Sequence, residues 1–135
     1  MPTITKGFRQ LVDEANAQIK TYPTPEAINL HGSDRVLFVD LRDVRELERE
    51  GVIPGAFHAP RGMLEFWVDP ESPYHKPFFT QDDKEYVLFC GGGWRSALAT
   101  KALKDMGMTN VAHFDGGFAA WKKAGGPVGD KEQKA

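Results

Sequence analysis

The chain has 135 residues, of which 41% are hydrophobic and 27% charged, and a formal net charge of −2. That length suits one domain with a sizeable core, and the charge gives no electrostatic reason to expect nucleic acid or a membrane surface as partner. No apolar run approaches the roughly 20 residues of a membrane span, and Met1-Pro2-Thr3-Ile4-Thr5-Lys6-Gly7 lacks the order of a secretory leader, so a cytoplasmic protein is expected.

From Thr5 to Lys20, Phe8, Leu11, Val12, Ala15 and Ile19 recur at spacings of three and four, the stripe of an amphipathic helix. The stripe reads first as core packing, and a contact between two copies in a weak homodimer is the alternative to a monomer. Thr24-Pro25 marks a second helix start, with Thr24 as cap and Pro25 in the first turn, ending near His31-Gly32. Val36 to Asp40 is an apolar run that ends in charge, a buried strand. Asp43 to Glu50 is helical and Gly51 closes it; Phe57-His58-Ala59 is a short strand. The stretch from Trp67 to Thr80 holds Pro70, Pro73 and Pro77 and reads as an ordered loop. Tyr86 to Phe89 is the clearest strand, followed by a helix from Ser96 to Met106, a strand from Val111 to Phe114 and a last helix from Phe118 to Lys123. Alternating strands and helices argue for a parallel α/β sheet.

The one cysteine, Cys90, stands at the end of the clearest strand. It has no partner for an internal disulfide and makes a poor start for a structural zinc site. A lone buried thiol is usually inert, but the residues that follow change that reading. Gly91, Gly92 and Gly93 permit a turn whose N–H groups face inward, the helix after them brings its positive end, and Arg95 adds a full charge beside Ser96. Each of these favours a thiolate over a thiol. The same cradle would hold a persulfide, a thiosulfate or a phosphate-like oxyanion. Cysteine-dependent phosphatases use a loop one residue longer than the Gly91-to-Trp94 spacing seen here, and the shorter loop suits one added sulfur atom.

Cys90-Gly91-Gly92-Gly93-Trp94-Arg95-Ser96 resembles the active-site signature of the rhodanese-like domain family. Val39-Asp40-Leu41-Arg42 with Glu46, Ile53-Pro54-Gly55-Ala56 with His58 and Pro60, and Asp115-Gly116-Gly117-Phe118 with Trp121, Gly125, Pro127 and Val128 are similar to its other motifs, in the same order. The resemblance implies a rhodanese-like α/β fold, a five-stranded parallel sheet with helices on both faces. It divides the chain into a helical extension over 1–23, the domain proper over 24–128 and a flexible tail over 129–135. It further implies a sulfurtransferase in which Cys90 takes sulfane sulfur from thiosulfate or a persulfide donor and passes it to a thiophilic acceptor. Gly91, Gly92, Gly93, Trp94, Arg95 and Ser96 would bind the substrate.

Asp40 and Arg42 follow a buried strand, and Asp40 is expected to brace the site structurally. Arg42, and with less reason Arg61, would draw an anionic donor to the mouth, a bracing ion pair being the alternative for Arg42. The segment from Arg61 through the proline-rich loop is longer than a minimal domain needs and is expected to wall the pocket. The histidines His31, His58, His75 and His113 lack metal-ligand spacing, and neither a metal nor a cofactor is expected. The partners are therefore a small sulfur donor and acceptor or a persulfide-carrying protein. Two other functions compete: a Cys90-dependent phosphatase or arsenate reductase, and a carrier module that accepts sulfur only from a protein.

Overall fold

Four strands of the computed structural model, which describes residues 3–131, fall where the apolar runs predict them. In chain order the elements are α1 (Phe8–Asn16), β1 (Thr21–Tyr22), α2 (Thr24–Leu30), β2 (Val36–Asp40), α3 (Val44–Glu50), β3 (Phe57–His58), α4 (Leu64–Val68), β4 (Glu85–Phe89), α5 (Trp94–Asp105), β5 (Val111–Phe114) and α6 (Gly117–Lys123). Short 3₁₀ turns occupy Arg61–Met63 and Pro77–Thr80. The five strands form one parallel sheet in the order β1-β5-β4-β2-β3. After β2 the chain moves outward to β3, and after β4 it moves the other way to β5. Crevices at such a switch point lie beyond the carboxyl ends of the strands, and Cys90 is the residue after β4.

Alternation along β4 divides the core between the two faces. Tyr86 and Leu88 pack with Val39, Leu41, Leu64, Phe79, Ala99 and Leu103. Val87 and Phe89 pack on the opposite side with Ala27, Phe38, Phe114, Phe118 and Trp121. Val87, Leu88 and Phe89, fully buried, contribute about 1.5–3 kcal/mol each, so β4 is anchored on both faces just before the cysteine.

Several local expectations change. Thr24 lies inside α2 rather than capping it; Pro23 holds the cap position, and the Thr24 hydroxyl donates instead to the Asp115 carbonyl at 2.6 Å. The best-capped helix is α3, where Asp43 accepts from the Arg45 N–H and Glu46 reaches back to the Asp43 N–H, a reciprocal capping box. The stripe of α1 splits: Val12 and Ala15 are buried against Ala97, while Phe8 and Leu11 are exposed. Between Arg61 and Thr80 the chain forms α4 and two 3₁₀ turns, and Leu64 and Phe79 enter the core. Gly129, expected to begin a frayed tail, exchanges two 2.8 Å hydrogen bonds with Val52. Residues 132–135 of that tail lie outside the described residues.

The start of α6 locks onto the end of β4. The Phe118 N–H donates to the Cys90 carbonyl at 2.8 Å and the Ala119 N–H to the Gly91 carbonyl at 3.1 Å. This approach requires Gly117, whose φ is +60° and on which a Cβ would stand 2.5 Å from the Cys90 carbonyl oxygen. Gly117→Ala is therefore expected to destabilise the protein by about 2 kcal/mol or more, read as a lower urea midpoint with an unchanged slope.

Candidate active site

Beyond Phe89 the chain turns through Gly91, Gly92 and Gly93 into α5. Gly93 adopts a φ of +104°, a left-handed conformation open to glycine, and sits directly before the first helical residue. That turn aims two backbone donors at one sulfur: the Gly93 N–H reaches Cys90 Sγ at 3.1 Å and the Ser96 N–H at 3.4 Å. Gly91 is confined in another way, since a Cβ there would stand 3.0 Å from Arg95 Nη2, whereas a Cβ on Gly92 would meet nothing within 4 Å. Gly93 and Gly91 thus meet two different needs, one of backbone conformation and one of space.

Cys90 is 1% exposed, and the open cleft before it, of about 310 Å³, is lined by Cys90, Gly92, Trp94 and Arg95. A larger cleft of about 460 Å³ beside Val52, Pro54 and His58 offers no thiol, so chemistry rather than volume selects the site. Trp94 is exposed at the rim, where its ring packs 4.8 Å from the ring of Phe8 and Arg9 lies over it. No residue between 61 and 80 lines the Cys90 cleft. The long segment expected as a wall contributes to the core, and the wall comes from the loop and α5.

The two arginines nearest in reasoning to Cys90 end up in different places. Arg95 is half-exposed at the cleft and holds Glu46 with two nitrogens, at 2.8 and 3.1 Å. Hydrogen bonds from Arg95 depress the Glu46 carboxyl below its ordinary range, while the Glu46 carboxylate first, and the neighbouring Cys90 charge second, raise Arg95. Arg42, by contrast, has no exposed surface. It forms two side-chain hydrogen bonds to Asp40, at 3.0 and 2.8 Å, donates to the Gly51 carbonyl at 2.9 Å and lies 4.1 Å over the Phe118 ring. Its expected place at the mouth is thus corrected: a guanidinium with a buried carboxylate at hand satisfies its donors there rather than in the cleft. Asp40 has the bracing geometry expected of it. Arg61 pairs with Glu65 at 2.7 Å and is likewise absent from the cleft lining.

Sequence reasoning assigns Ser96 to the substrate loop and misses the residues behind it, His113, Asn16 and Thr21. Cys90 Sγ lies 3.6 Å from Ser96 Oγ, which is 2.9 Å from His113 Nδ1. His113 Nε2 then meets Asn16 Oδ1 at 3.0 Å and Thr21 Oγ1 at 3.1 Å. The imidazole is 1% exposed, and burial lowers its pKa from 6.5 to about 4. Glu46 was noticed only as part of a motif, although its spacing three residues after Asp43 marks a capping box. Among the described residues, no cluster of three or more His, Cys, Asp or Glu side chains could hold a metal. No described helix is long and apolar enough to cross a membrane.

Comparison with known proteins gives this geometry a context. A model of the rhodanese-like domain matches residues 24–124. An uncharacterized protein of Synechocystis is 33% identical over 99 residues, covering 73% of this chain and only 50% of that protein. A protein of Allochromatium vinosum named sulfurtransferase is 30% identical over 99 residues, 73% of this chain and 83% of that one. A solved structure from Rhodopseudomonas palustris, of a protein of unknown function described as a possible tyrosine phosphatase, is 56% identical with a TM-score of 0.91 over 95% of this chain and 98% of that one.

Two outcomes follow from the buried groups. Arg42→Met leaves Asp40 charged and unpaired in the interior, which is expected to lower stability by about 3–5 kcal/mol, while iodoacetamide alkylates Cys90 in the folded fraction at the wild-type rate. The second concerns acid. Below pH 6.5 an unfolded chain takes up a proton at His113 that the folded chain refuses until about pH 4. The stability contributed by keeping His113 neutral is whole above pH 6.5 and is lost as pH falls through that window. Urea unfolding at several pH values should show a flatter limb between those limits for His113→Asn.

Proposed function

The chain belongs to the rhodanese-like domain family, and on that premise we propose that it is a sulfurtransferase carrying sulfane sulfur on Cys90. The observation that carries this reading is the convergence of the Gly93 and Ser96 N–H groups on Sγ at the floor of an open cleft. A thiolate there gains two charge-assisted hydrogen bonds and the positive end of α5. Thiosulfate is the proposed small donor, and a persulfide-bearing protein is the proposed alternative.

Cys90 Sγ, deprotonated, attacks the sulfane sulfur of thiosulfate. The S–S bond of the donor breaks, its electron pair leaves with sulfite, and Cys90 holds a persulfide. Cyanide or a thiolate acceptor then attacks the terminal sulfur, and the electron pair of the Cys90 S–S bond returns to Sγ. One transfer is thereby divided into two displacements. The loop N–H groups face the sulfur that is charged before the first displacement and again after the second, and Arg95 stands at the cleft where the anionic donor enters.

Phosphate-ester hydrolysis is the second reading, favoured by the description of the Rhodopseudomonas palustris protein. Against it, four residues separate Cys90 from Arg95, one fewer than the loop of cysteine-dependent phosphatases. Intact mass spectrometry after thiosulfate treatment should show a gain of one sulfur atom on wild type and none on Cys90→Ser, with thiocyanate formed when cyanide is added. A sulfur gain from a persulfidated protein but not from thiosulfate would mark a carrier module. Absence of any gain, together with Cys90-dependent hydrolysis of p-nitrophenyl phosphate, would replace the sulfurtransferase reading with the phosphatase one.

A further inference from the structure

From the cysteine, through residues that do not line the cleft, extends a continuous run of polar atoms that the displacement chemistry does not use. It passes from Cys90 Sγ to Ser96 Oγ, His113 Nδ1, His113 Nε2 and finally Thr21 Oγ1 and Asn16 Oδ1. Ser96 and His113 are buried, whereas Thr21 is exposed, so the run leads from the buried sulfur to a surface residue. Asn16 ends α1, which precedes the part of the chain that matches the family model.

Hydrogen positions follow from what each atom can do. His113 stays neutral near neutral pH, because burial opposes its charge more than Asp115 favours it, and it therefore carries one N–H. Asn16 Oδ1 only accepts, which places that hydrogen on Nε2 in the resting protein. Nδ1 is then a lone pair, and Ser96 Oγ, 2.9 Å away, donates to it in preference to the Gly93 carbonyl at 3.3 Å. Ser96 consequently turns a lone pair toward Sγ, a partner suited to a thiol S–H and unsuited to a thiolate.

We infer that Ser96, His113 and Thr21 form a hydrogen-bond chain that reverses direction when Cys90 ionises, with His113 the positioning residue that turns the Ser96 hydroxyl toward the thiolate. One proton moves at each link. The thiol proton passes to Ser96 Oγ, the Ser96 hydroxyl proton to His113 Nδ1, the Nε2 proton to Thr21 Oγ1, and the original Thr21 hydroxyl proton to water. The net change is one proton lost from Cys90, with every intermediate group neutral again. Afterwards Nδ1–H donates to Ser96 Oγ, Ser96 O–H donates to the sulfur, Thr21 donates to the Nε2 lone pair, and the exposed Asn16 amide turns its Oδ1 away from Nε2. A hydroxyl that itself accepts a hydrogen bond donates a stronger one, so the chain steadies the anion more than the thiol. The charged groups facing it are Arg95, paired with Glu46, on the cleft side and Asp115 after β5.

This inference rests on Cys90 being the nucleophile, as in the proposed function, but its test needs no sulfur donor. The rate of alkylation of Cys90 by iodoacetamide is followed against pH in the full chain. In His113→Leu the profile should move to higher pH by about one unit, with alkylation slowed about tenfold below the midpoint. His113→Asn puts an amide where Nδ1 stands and should retain the wild-type profile. His113→Gln puts its amide near Nε2 and should behave as His113→Leu, which keeps the comparison readable if the leucine variant does not fold. Ser96→Ala should shift the profile in the same direction, and adding His113→Leu to it should shift it no further. Wild-type profiles in both folded His113→Leu and His113→Gln would overturn the inference, as would equal impairment of His113→Asn and His113→Leu. A shifted profile with no sulfur gain from any donor would sink the sulfurtransferase reading and leave the chain standing.

Discussion

Two N–H groups aimed at one sulfur atom govern the end of β4. They can converge only because Gly93 takes a left-handed conformation immediately before α5, which turns its own N–H back over the loop while the helix begins. The first-turn N–H groups of a helix lack intrahelical acceptors, and here the Ser96 N–H finds the Cys90 sulfur. A side chain that would otherwise be a small buried apolar residue becomes the acceptor for the helix start. The same contacts also anchor the loop, whose carbonyls at Cys90 and Gly91 are held in turn by the start of α6. The loop that carries the sulfur is thus held between the starts of α5 and α6, at the carboxyl end of the central strand.

Charge around the site is divided between two arginine–carboxylate pairs of different character. Arg42 and Asp40 are both buried, and their attraction offsets the large desolvation that either would suffer alone. Arg42 Nη1 finds no hydrogen-bond partner among the described residues, but the guanidinium lies over the Phe118 ring, whose π face is electron-rich. Through Phe118 this pair ties the turn after β2 to α6. Arg95 and Glu46 are nearer water, and solvent screening makes their net contribution to stability small. Their geometry matters more than their energy: Glu46 is itself held by the capping box of α3, so the arginine at the cleft is oriented by a carboxylate with little freedom.

Much of this arrangement is legible in the sequence. Tyr86 to Phe89 is apolar enough to be a buried strand, and a cysteine followed by three glycines, an arginine and a serine cannot easily be explained as packing alone. What is not legible depends on contacts between residues far apart in the chain. Thr21-Tyr22 is a strand only because β5 pairs with it, and two residues carry no periodicity of their own. Arg42 looks equally suited to a mouth or to a buried pair, and the choice is made by Gly51 and Phe118, which sequence does not place beside it. His113 sits at an ordinary position in an apolar strand. Its significance depends on Ser96, 17 residues before it, and on Asn16, 97 residues before it.

That last residue explains why α1 belongs to the working molecule although it lies outside the part that matches the family model. An imidazole in a strand buried on both faces loses its hydration and must find partners for both nitrogens. Helix α5 supplies Ser96 for one nitrogen, but the sheet has only Thr21, at its margin, for the other. Helix α1 packs Val12 and Ala15 against Ala97 of α5, and this docking brings Asn16 to the open side of His113. The hydrophobic face of the helix and its terminal amide therefore act together: one fixes α1 to the helix that starts at the cysteine loop, the other completes the polar run beneath the sulfur. Loosening α1 would leave a buried His113 nitrogen with one partner instead of two, even though α1 approaches the cleft itself only at its rim, through Phe8 and Arg9 on Trp94.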